Sequence, residues 1–259
     1  MSIKAIFFDI DGTLVSFKSH EVPPSAVTAI REARERGVKT FIATGRSFPQ
    51  IPDLSGLQFD GYITLNGVYC ITGENEIVMK NAVPQEDIEA VIRYTEKEPF
   101  PCSFMTKDDI FINYVNRDVE ELVTMVNLPL PKVIDLREVA GKEIFQVNVY
   151  VDEERERYLM RHVLVHCEST RWNPLFADIN IRGYGKQSGI DSFVEHYRFR
   201  LDETMAFGDG GNDISMLKHV AVGVAMGNAM DEVKKTADYI TASVDDDGIR
   251  HALKHFGVI

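Results

Sequence analysis

Near its beginning the chain runs Ile3-Lys4-Ala5-Ile6-Phe7-Phe8 and stops on Asp9-Ile10-Asp11-Gly12-Thr13. The apolar run predicts a buried strand that ends where the acids begin. Residues two apart on a strand point to one side, so Asp9 and Asp11 can face one crevice. Gly12 lets the backbone turn sharply behind them. Two carboxylates held this close repel each other, and a cation between them would relieve the repulsion. A hard, oxygen-ligated metal beside an acid suits phosphate chemistry. The plainer alternative is a strand end whose acids only solvate a turn, since Asp and Gly are ordinary turn residues.

The segments that follow decide what kind of sheet this strand joins. Ser25, after Pro23-Pro24, is a candidate N-cap for a helix over Ala26–Arg36. That helix carries Val27, Ile30 and Ala33 on one face and ends at Gly37. A second strand is expected over Val38–Ala43, running into Thr44-Gly45-Arg46, and a third over Tyr62–Leu65, ending at Asn66-Gly67. Strand, helix, strand in this rhythm predicts a parallel sheet with crossover helices. From about Asn81 the texture changes. A helix is expected from Pro84 through Lys97, then short alternating pieces at Cys102–Met105, Ile110–Tyr114 and Phe145–Val151. Helical patterns cover Asp118–Met125 and Glu153–Cys167, and strands are expected at Thr170–Trp172 and Asp178–Ile181. This predicts an α+β module whose sheet is covered by helices on one side.

The first texture then returns. A helix is expected over Ile190–Tyr197, a strand over Thr204–Phe207, a helix reaching His219, and strands at Val220–Ala225 and Tyr239–Ile240. Asn228 is a candidate cap for the helix between those last strands. The final helix has an acidic entry, Asp245-Asp246-Asp247, which suits the positive end of its dipole, and an apolar face of Ile249, Leu253 and Phe256. The organisation expected is therefore a discontinuous core, 1–80 and 184–259, with a second domain inserted at 81–183.

Composition narrows the partners. A chain of 259 residues that is 44% hydrophobic can build a proper core in one large domain or two smaller ones. A net charge of -12 argues against nucleic acid, whose binding rests on basic patches. It does not exclude a small anion, because a bound cation and a few local bases reverse the field in a pocket. Cys70, Cys102 and Cys167 lie far apart with no Cys-x-x-Cys pair, as suits small apolar thiols in a reducing cytoplasm. The first apolar run lacks the shape of a signal peptide. No apolar stretch approaches the ~20 residues that span a bilayer. The expectation is a cytoplasmic protein, monomer or weak oligomer, with no membrane or nucleic-acid partner and a small phosphorylated metabolite as ligand.

In open α/β sheets, ligands sit beyond the carboxyl ends of the strands. Four polar clusters fall at or beside such ends. The first is Asp9 with Asp11. The second is Thr44-Gly45-Arg46, a hydroxyl and a free amide suited to phosphate oxygens. The third is Lys186, a point charge on the loop Gly185-Lys186-Gln187-Ser188-Gly189 just ahead of a helix. The fourth is Gly208-Asp209-Gly210-Gly211-Asn212-Asp213, two acids and an amide after a strand. Taken singly, each has a bland explanation. Thr44 can simply end a strand, Lys186 can be a solvated lysine, and Asn212 or Asp213 can be an N-cap. Together, in this order and at these strand ends, they make a coincidence of turn chemistry a poor account.

These segments resemble, in sequence order, the four motifs of the haloacid dehalogenase superfamily. The chain is similar in particular to the Cof-like sugar-phosphate phosphatases, which carry a large type C2 α/β cap inserted after the third core strand. The resemblance covers essentially the whole chain, is specific in the core and weak in the cap, and shows no departure at a catalytic position. It implies an α/β fold, with a Rossmann-like parallel-sheet core and an inserted α+β cap domain. It implies Asp9 as the nucleophile that becomes an aspartyl-phosphate. It implies Asp11 as the acid that protonates the leaving alcohol and then as the base that deprotonates water. Mg²⁺ would be held by an Asp9 oxygen, the Asp11 backbone carbonyl and Asp209. Thr44 and Lys186 would hold the phosphoryl oxygens, with Ile10, Gly45 and Asn212 completing the phosphate site. Asp213 would orient Lys186 or a metal-bound water, and Arg46 and Gly210 would support the site.

Several other signals compete weakly. His162 and His166, four apart on an expected helix, could face one metal, but no third ligand stands nearby and helix packing explains the pair. Gly183-Tyr184-Gly185 resembles the start of a dinucleotide fingerprint, with the third glycine misplaced. Trp172, Tyr158 and Phe176 are expected to fill the core of the inserted domain. Arg46 either reaches substrate or pairs with a surface acid. The function expected is a Mg²⁺-dependent phosphatase of small phosphomonoesters, sugar (hexose) phosphates foremost. The alternatives are a phosphomutase on sugar phosphates and a catalytically silent phosphate-ligand sensor. Retention of both Asp9 and Asp11 weighs against the sensor.

Overall fold

The computed structural model describes residues 2–259. Its larger sheet has eight strands. Numbered in chain order and taken across the sheet, they are β14 (Tyr239–Ile240), β13 (Val222–Ala225), β12 (Thr204–Gly208), β1 (Ala5–Phe8), β2 (Lys39–Ala43), β3 (Gly61–Thr64), β4 (Tyr69–Thr72) and β5 (Ile77–Lys80). Every pairing from β14 to β3 is parallel, and β4 and β5 add antiparallel. β1 is central and buried on both faces, which accounts for its unbroken apolar sequence. Ile6 and Phe8 pack against α1 (Pro24–Glu35) and α8 (Gly248–His255) through Ala29, Ile30, Ile249 and Leu253. Ala5 and Phe7 face the other way, toward α5 (Lys186–Tyr197), α6 (Ile214–His219) and α7 (Asp231–Lys234), through Ile190, Phe193, Met216 and Val233.

The strand order positions the site. From β1 the chain moves one way to β2 and β3, and it later returns on the other side at β12. The loops leaving β1 and β12 therefore diverge, and a crevice opens between them at the carboxyl ends of the strands. Asp9 follows β1 and Asp209 follows β12.

Between β5 and α5 the chain builds a second sheet of six strands. Its order is β10 (Cys167–Asn173), β11 (Phe176–Ile181), β9 (Gln146–Val149), β6 (Cys102–Met105), β7 (Ile110–Ile112) and β8 (Lys132–Val133). Side chains alternate between its faces. Cys102, Phe104, Val147, Val149, Ala177 and Ile179 share a core with α2 (Gln85–Lys97) and α4 (Glu153–His162). The opposite face carries Gln146, Asn148, Asp178 and Asn180, which are polar and yet buried. Buried polar groups need partners, and the loops of the larger sheet supply several of them. A third helix, α3 (Arg117–Met125), packs on Ile112, Tyr150 and Phe176.

Several local expectations are corrected. Ser25 does not cap α1: the helix already begins at Pro24, a residue suited to a first turn, and the Ser25 hydroxyl is buried without a partner. The helix expected through Cys167 ends at His162, and Cys167 opens β10. His166 thus lies outside the helix, with its Nδ1 2.9 Å from Asp87, and the two histidines share no helical face. Lys186 is the first residue of α5 and not part of a preceding loop. Asn228 caps no helix; it donates to the Gly12 carbonyl at 2.8 Å and accepts from the Val244 amide at 2.9 Å. Asp245 and Asp246 form a 3-10 turn ahead of α8, and Asp245 accepts from Ser16 and pairs with Lys18. Tyr158 is half exposed beside His162 and fills no core. Among the described residues, no helix is long and apolar enough to cross a membrane.

Candidate active site

Asp9 and Asp11 lie just past the end of β1, on a turn whose Ile10 carbonyl accepts from the amides of Thr13, Leu14 and Val15. The Ile10 side chain goes into the core, so its two neighbours are turned the other way. Both line one cavity of about 290 Å³. Gly12 makes this turn possible. Its φ is +86°, and a Cβ there would stand 2.3 Å from Oδ2 of Asp209. The hydroxyl of Thr13 donates to the other oxygen of Asp209 at 2.8 Å.

The start of α5 buries Lys186 fully, behind Asp9 and Asp213 and outside the cavity's own lining. Its ammonium donates to Asp9 at 2.7 Å and to Asp213 at 2.6 Å. The second oxygen of Asp213 accepts from the amides of Asp209 and Gly210, both at 2.9 Å. One carboxylate therefore holds the lysine and shapes the loop that carries Asp209. Burial alone would lower the pKa of Lys186, but Asp213 and Asp9 outweigh it and hold the ammonium above its ordinary value. Burial and the charge of Asp213 push Asp9 up to about 7, against the pull of Lys186. Burial, then Asp9 and Asp213, hold Asp209 well above the usual carboxylate range.

Asp9, Asp209 and Asp213 each place a carboxylate oxygen within 4.8 Å of the other two. These hard oxygens face a single ammonium, so the cluster is short of positive charge, and a divalent cation fits it. Both oxygens of Asp213 are already engaged with Lys186 and two amides. Asp9 and Asp209 keep the freer lone pairs. The Asp11 carboxylate stands apart from this cluster. Arg46 forks onto it, Nε at 2.8 Å and Nη2 at 2.6 Å.

Arg46 thus pairs with an acid of the site and not with a surface acid, and it lines the cavity itself. It is buried, and it also donates to the carbonyls of Gln50 at 2.9 Å and of Val126, just past α3, at 2.8 Å. Thr44 and Gly45 line the cavity beside it, and the Thr44 hydroxyl accepts from the Arg46 amide at 3.1 Å. Gly210, Asn212 and Asp213 line it from the β12 side. The side chain of Ile10 does not reach the cavity, so that residue can act there only through its backbone.

The far wall belongs to the second sheet. Trp172 and Phe176 line it; Phe176 also fills the core under α3, as the sequence suggested, and Trp172 packs against that core only partly buried. Gln146, Asn148 and Asp178 line it as well, and they were missed. The available signal was their spacing: Gln146-Val147-Asn148-Val149 and Ala177-Asp178-Ile179 put polar groups at alternate positions of otherwise apolar strands. Such a pattern ordinarily marks a solvated face. Here that face is covered by the larger sheet's loops. Burial pushes Asp178 up to about 7, opposed by the hydrogen bond from Asn66 and by Lys186.

A family model described as haloacid dehalogenase-like hydrolase matches residues 6–253. The chain is 34% identical over 261 residues to a Bacillus subtilis (strain 168) protein whose name carries the word phosphatase, YkrA, with 100% of each chain covered. The solved structure of the HAD subclass IIB sugar phosphatase BT4131 matches at a TM-score of 0.93 and 45% identity, covering 99% of this chain and 100% of that one. A second phosphatase of the same superfamily, BT1666 of Bacteroides thetaiotaomicron, matches at a TM-score of 0.91 and 39% identity, covering 100% and 96%.

Proposed function

Since this chain belongs to the haloacid dehalogenase-like hydrolases and is a phosphatase of that family, we propose that it hydrolyses small phosphomonoesters, sugar phosphates foremost, with Mg²⁺ and through an aspartyl-phosphate on Asp9. The observation that carries this reading is the buried Asp9–Lys186–Asp213 triplet, whose two carboxylates line one cavity together with Asp11, Thr44 and Asp209. An oxygen of Asp9 attacks phosphorus as the ester P–O bond breaks. Asp11 gives its proton to the leaving alkoxide. Water then attacks the aspartyl-phosphate and yields its proton to Asp11, which restores both groups. Arg46 orients the Asp11 carboxyl through both oxygens, so one oxygen must leave that fork when Asp11 acts as the acid. Lys186, the Thr44 hydroxyl and the backbone at Ile10 and Gly45 face the phosphoryl oxygens where charge grows, with Asn212 beside them. Mg²⁺, held by Asp9, Asp209 and the Asp11 carbonyl, would supply Lewis-acid charge to the phosphoryl group.

In this reading 1–80 and 184–259 form the catalytic core, and 81–183 form a cap that closes over it and reads the rest of the substrate. Two things support sugar phosphates. One is the likeness to a sugar phosphatase of known structure. The other is a far wall whose amides and carboxylate, from Gln146, Asn148 and Asp178, can exchange hydrogen bonds with hydroxyls. We place the enzyme in the cytoplasm, where buried free thiols such as Cys70, Cys102 and Cys167 are at home, as a monomer or weak oligomer.

The test is a panel of phosphate esters assayed with Mg²⁺, scoring phosphate release and isomeric products together. Release should be highest on sugar phosphates, vanish with a chelator and return with Mg²⁺. Full activity in metal-free buffer would overturn the metal assignment. Rearranged esters without free phosphate would make the protein a mutase.

A further inference from the structure

Asn66 has no part in the chemistry above, yet its surroundings are unusual. It stands on the turn after β3, where Leu65, Asn66 and Gly67 have φ of +51°, +55° and +99°. Two successive left-handed residues, one of them a leucine, are costly and persist only where the surroundings hold them. The Leu65 amide donates to the Arg46 carbonyl and the Asn66 amide to the Thr44 carbonyl, both at 3.0 Å. A Cβ on Gly67 would land 2.0 Å from the Gly185 carbonyl, so the turn is also pressed against the start of α5. The turn therefore braces the segments carrying Thr44 and Lys186.

The buried side chain of Asn66 faces both sheets. Its Oδ1 accepts from Asn212 at 3.0 Å, on the β12 loop. Its Nδ2 donates to Asp178 at 2.9 Å and to Gln146 at 3.1 Å, on the second sheet. Asp178 is held further by Gln146, whose Nε2 donates to it at 3.0 Å. Asn180 of β11 donates to the Leu65 carbonyl at 3.2 Å. A single carboxamide thus spends its donors on one sheet and its acceptor on the other.

We propose that Asn66 is a positioning residue that latches the second sheet onto the phosphate-holding loops, so that closure over the substrate and alignment of Asn212 and Thr44 occur together. Its kinetic consequence rests on the phosphatase reading; the latch itself does not. Four variants test it, one of them the single Asp178→Asn that serves as reference for the double variant. Asn66→Asp keeps size and the Asn212 contact but removes both donors and sets a carboxylate against Asp178. The double variant N66D/D178N restores one donor and one acceptor between the two positions, with their roles exchanged. Asn66→Gly keeps the left-handed turn without steric cost and deletes only the amide, which provides a second route if the aspartate variant does not fold.

Two readouts are taken on each, kcat/KM for a sugar phosphate and backbone hydrogen–deuterium exchange with inorganic phosphate present. In N66D and N66G, kcat/KM should fall about 10- to 100-fold. Exchange should rise in Leu65–Gly67 and in 146–149 together. Both readouts should move back toward wild type in N66D/D178N. Unchanged exchange and unchanged kcat/KM in a folded N66G would overturn the latch, since a turn former alone predicts that result. So would losses from N66D and D178N that simply multiply in the double variant. If wild type releases phosphate from no ester, the phosphatase reading falls, and the exchange arm still decides the latch.

Discussion

A buried ammonium is tolerable only when it is paired, and Lys186 is paired twice, with Asp9 and with Asp213. Asp9→Asn keeps an acceptor for that lysine while replacing the attacking oxygen with a far poorer nucleophile. Phosphate release should fall roughly 10³-fold or more, with the thermal midpoint near that of wild type. Asp11→Asn should lose about 10²- to 10⁴-fold on alkyl phosphates, where the alkoxide needs a proton. On an activated aryl phosphate the loss should be much smaller; equal losses on both would count against Asp11 as the acid. Asp60 makes a different kind of prediction. Burial raises its pKa, but Lys39 at 2.8 Å, the Thr40 amide at 3.0 Å and Arg34 outweigh that and hold it below the ordinary value. A depressed carboxylate stabilises fully above its unfolded pKa of about 3.9, and the contribution drains away as pH falls through the lower folded value. Asp60→Asn should cost about 1.5–3 kcal/mol at neutral pH. The gap in denaturation midpoint between variant and wild type should stay constant above about pH 5 and close below about pH 4. A gap that persisted at low pH would show that Asp60 acts by packing and not by charge.

At the scale of elements, α4 is the clearest case of a helix held by tertiary contact. Of its ten residues only Leu159 is buried, and Asp152 caps it through the Arg155 amide at 2.8 Å. Leu159→Ala should destabilise by about 2–5 kcal/mol in urea titration, while Tyr158→Ala, on the exposed side, should stay within about 0.5 kcal/mol. Comparable losses would mean that α4 is anchored by its outer face. The same helix shows where sequence reading stops. Its expected span ran on to Cys167 because Val163, Leu164 and Val165 prolong an apolar pattern, whereas those residues turn the chain into β10. β1 was legible because burial on both faces leaves no ambiguity of period, and β6, Cys102–Met105, was found with its observed ends. The β4–β5 hairpin was not seen, since β5 is an edge strand with Ile77 exposed and offers neither a buried run nor a clean alternation. In the site, the core residues could be read because three of the four clusters sit at strand ends and the fourth, at Lys186, opens α5 between glycines. The far wall could not, because Gln146, Asn148 and Asp178 look like a solvated face until a second sheet is known to cover them.

For the whole molecule, the packing suggests how chemistry and selectivity are divided. The two cores flanking the larger sheet draw only on residues before Lys80 and after Gly183, and the main core of the second sheet lies wholly between those points. One smaller cluster crosses the divide, where Leu65, Val68, Tyr69 and Ile71 meet Met105 and Phe145. A chain lacking 81–183, with polar residues placed at that exposed patch, should therefore keep its fold. It would retain Asp9, Asp11, Lys186 and Asp209, so it should still attack an activated aryl phosphate weakly. It would lose the Val126 carbonyl that anchors Arg46, and with Gln146, Asn148 and Asp178 the polar wall. Discrimination among sugar phosphates should collapse, because phosphoryl transfer depends on charge at the strand ends while discrimination depends on contacts to the rest of the substrate. The decisive measurement is the ratio of kcat/KM across several sugar phosphates, full chain against core. A well-folded core that kept the full-length order of preference would place specificity in the larger sheet's own loops and leave the second sheet only the task of excluding water.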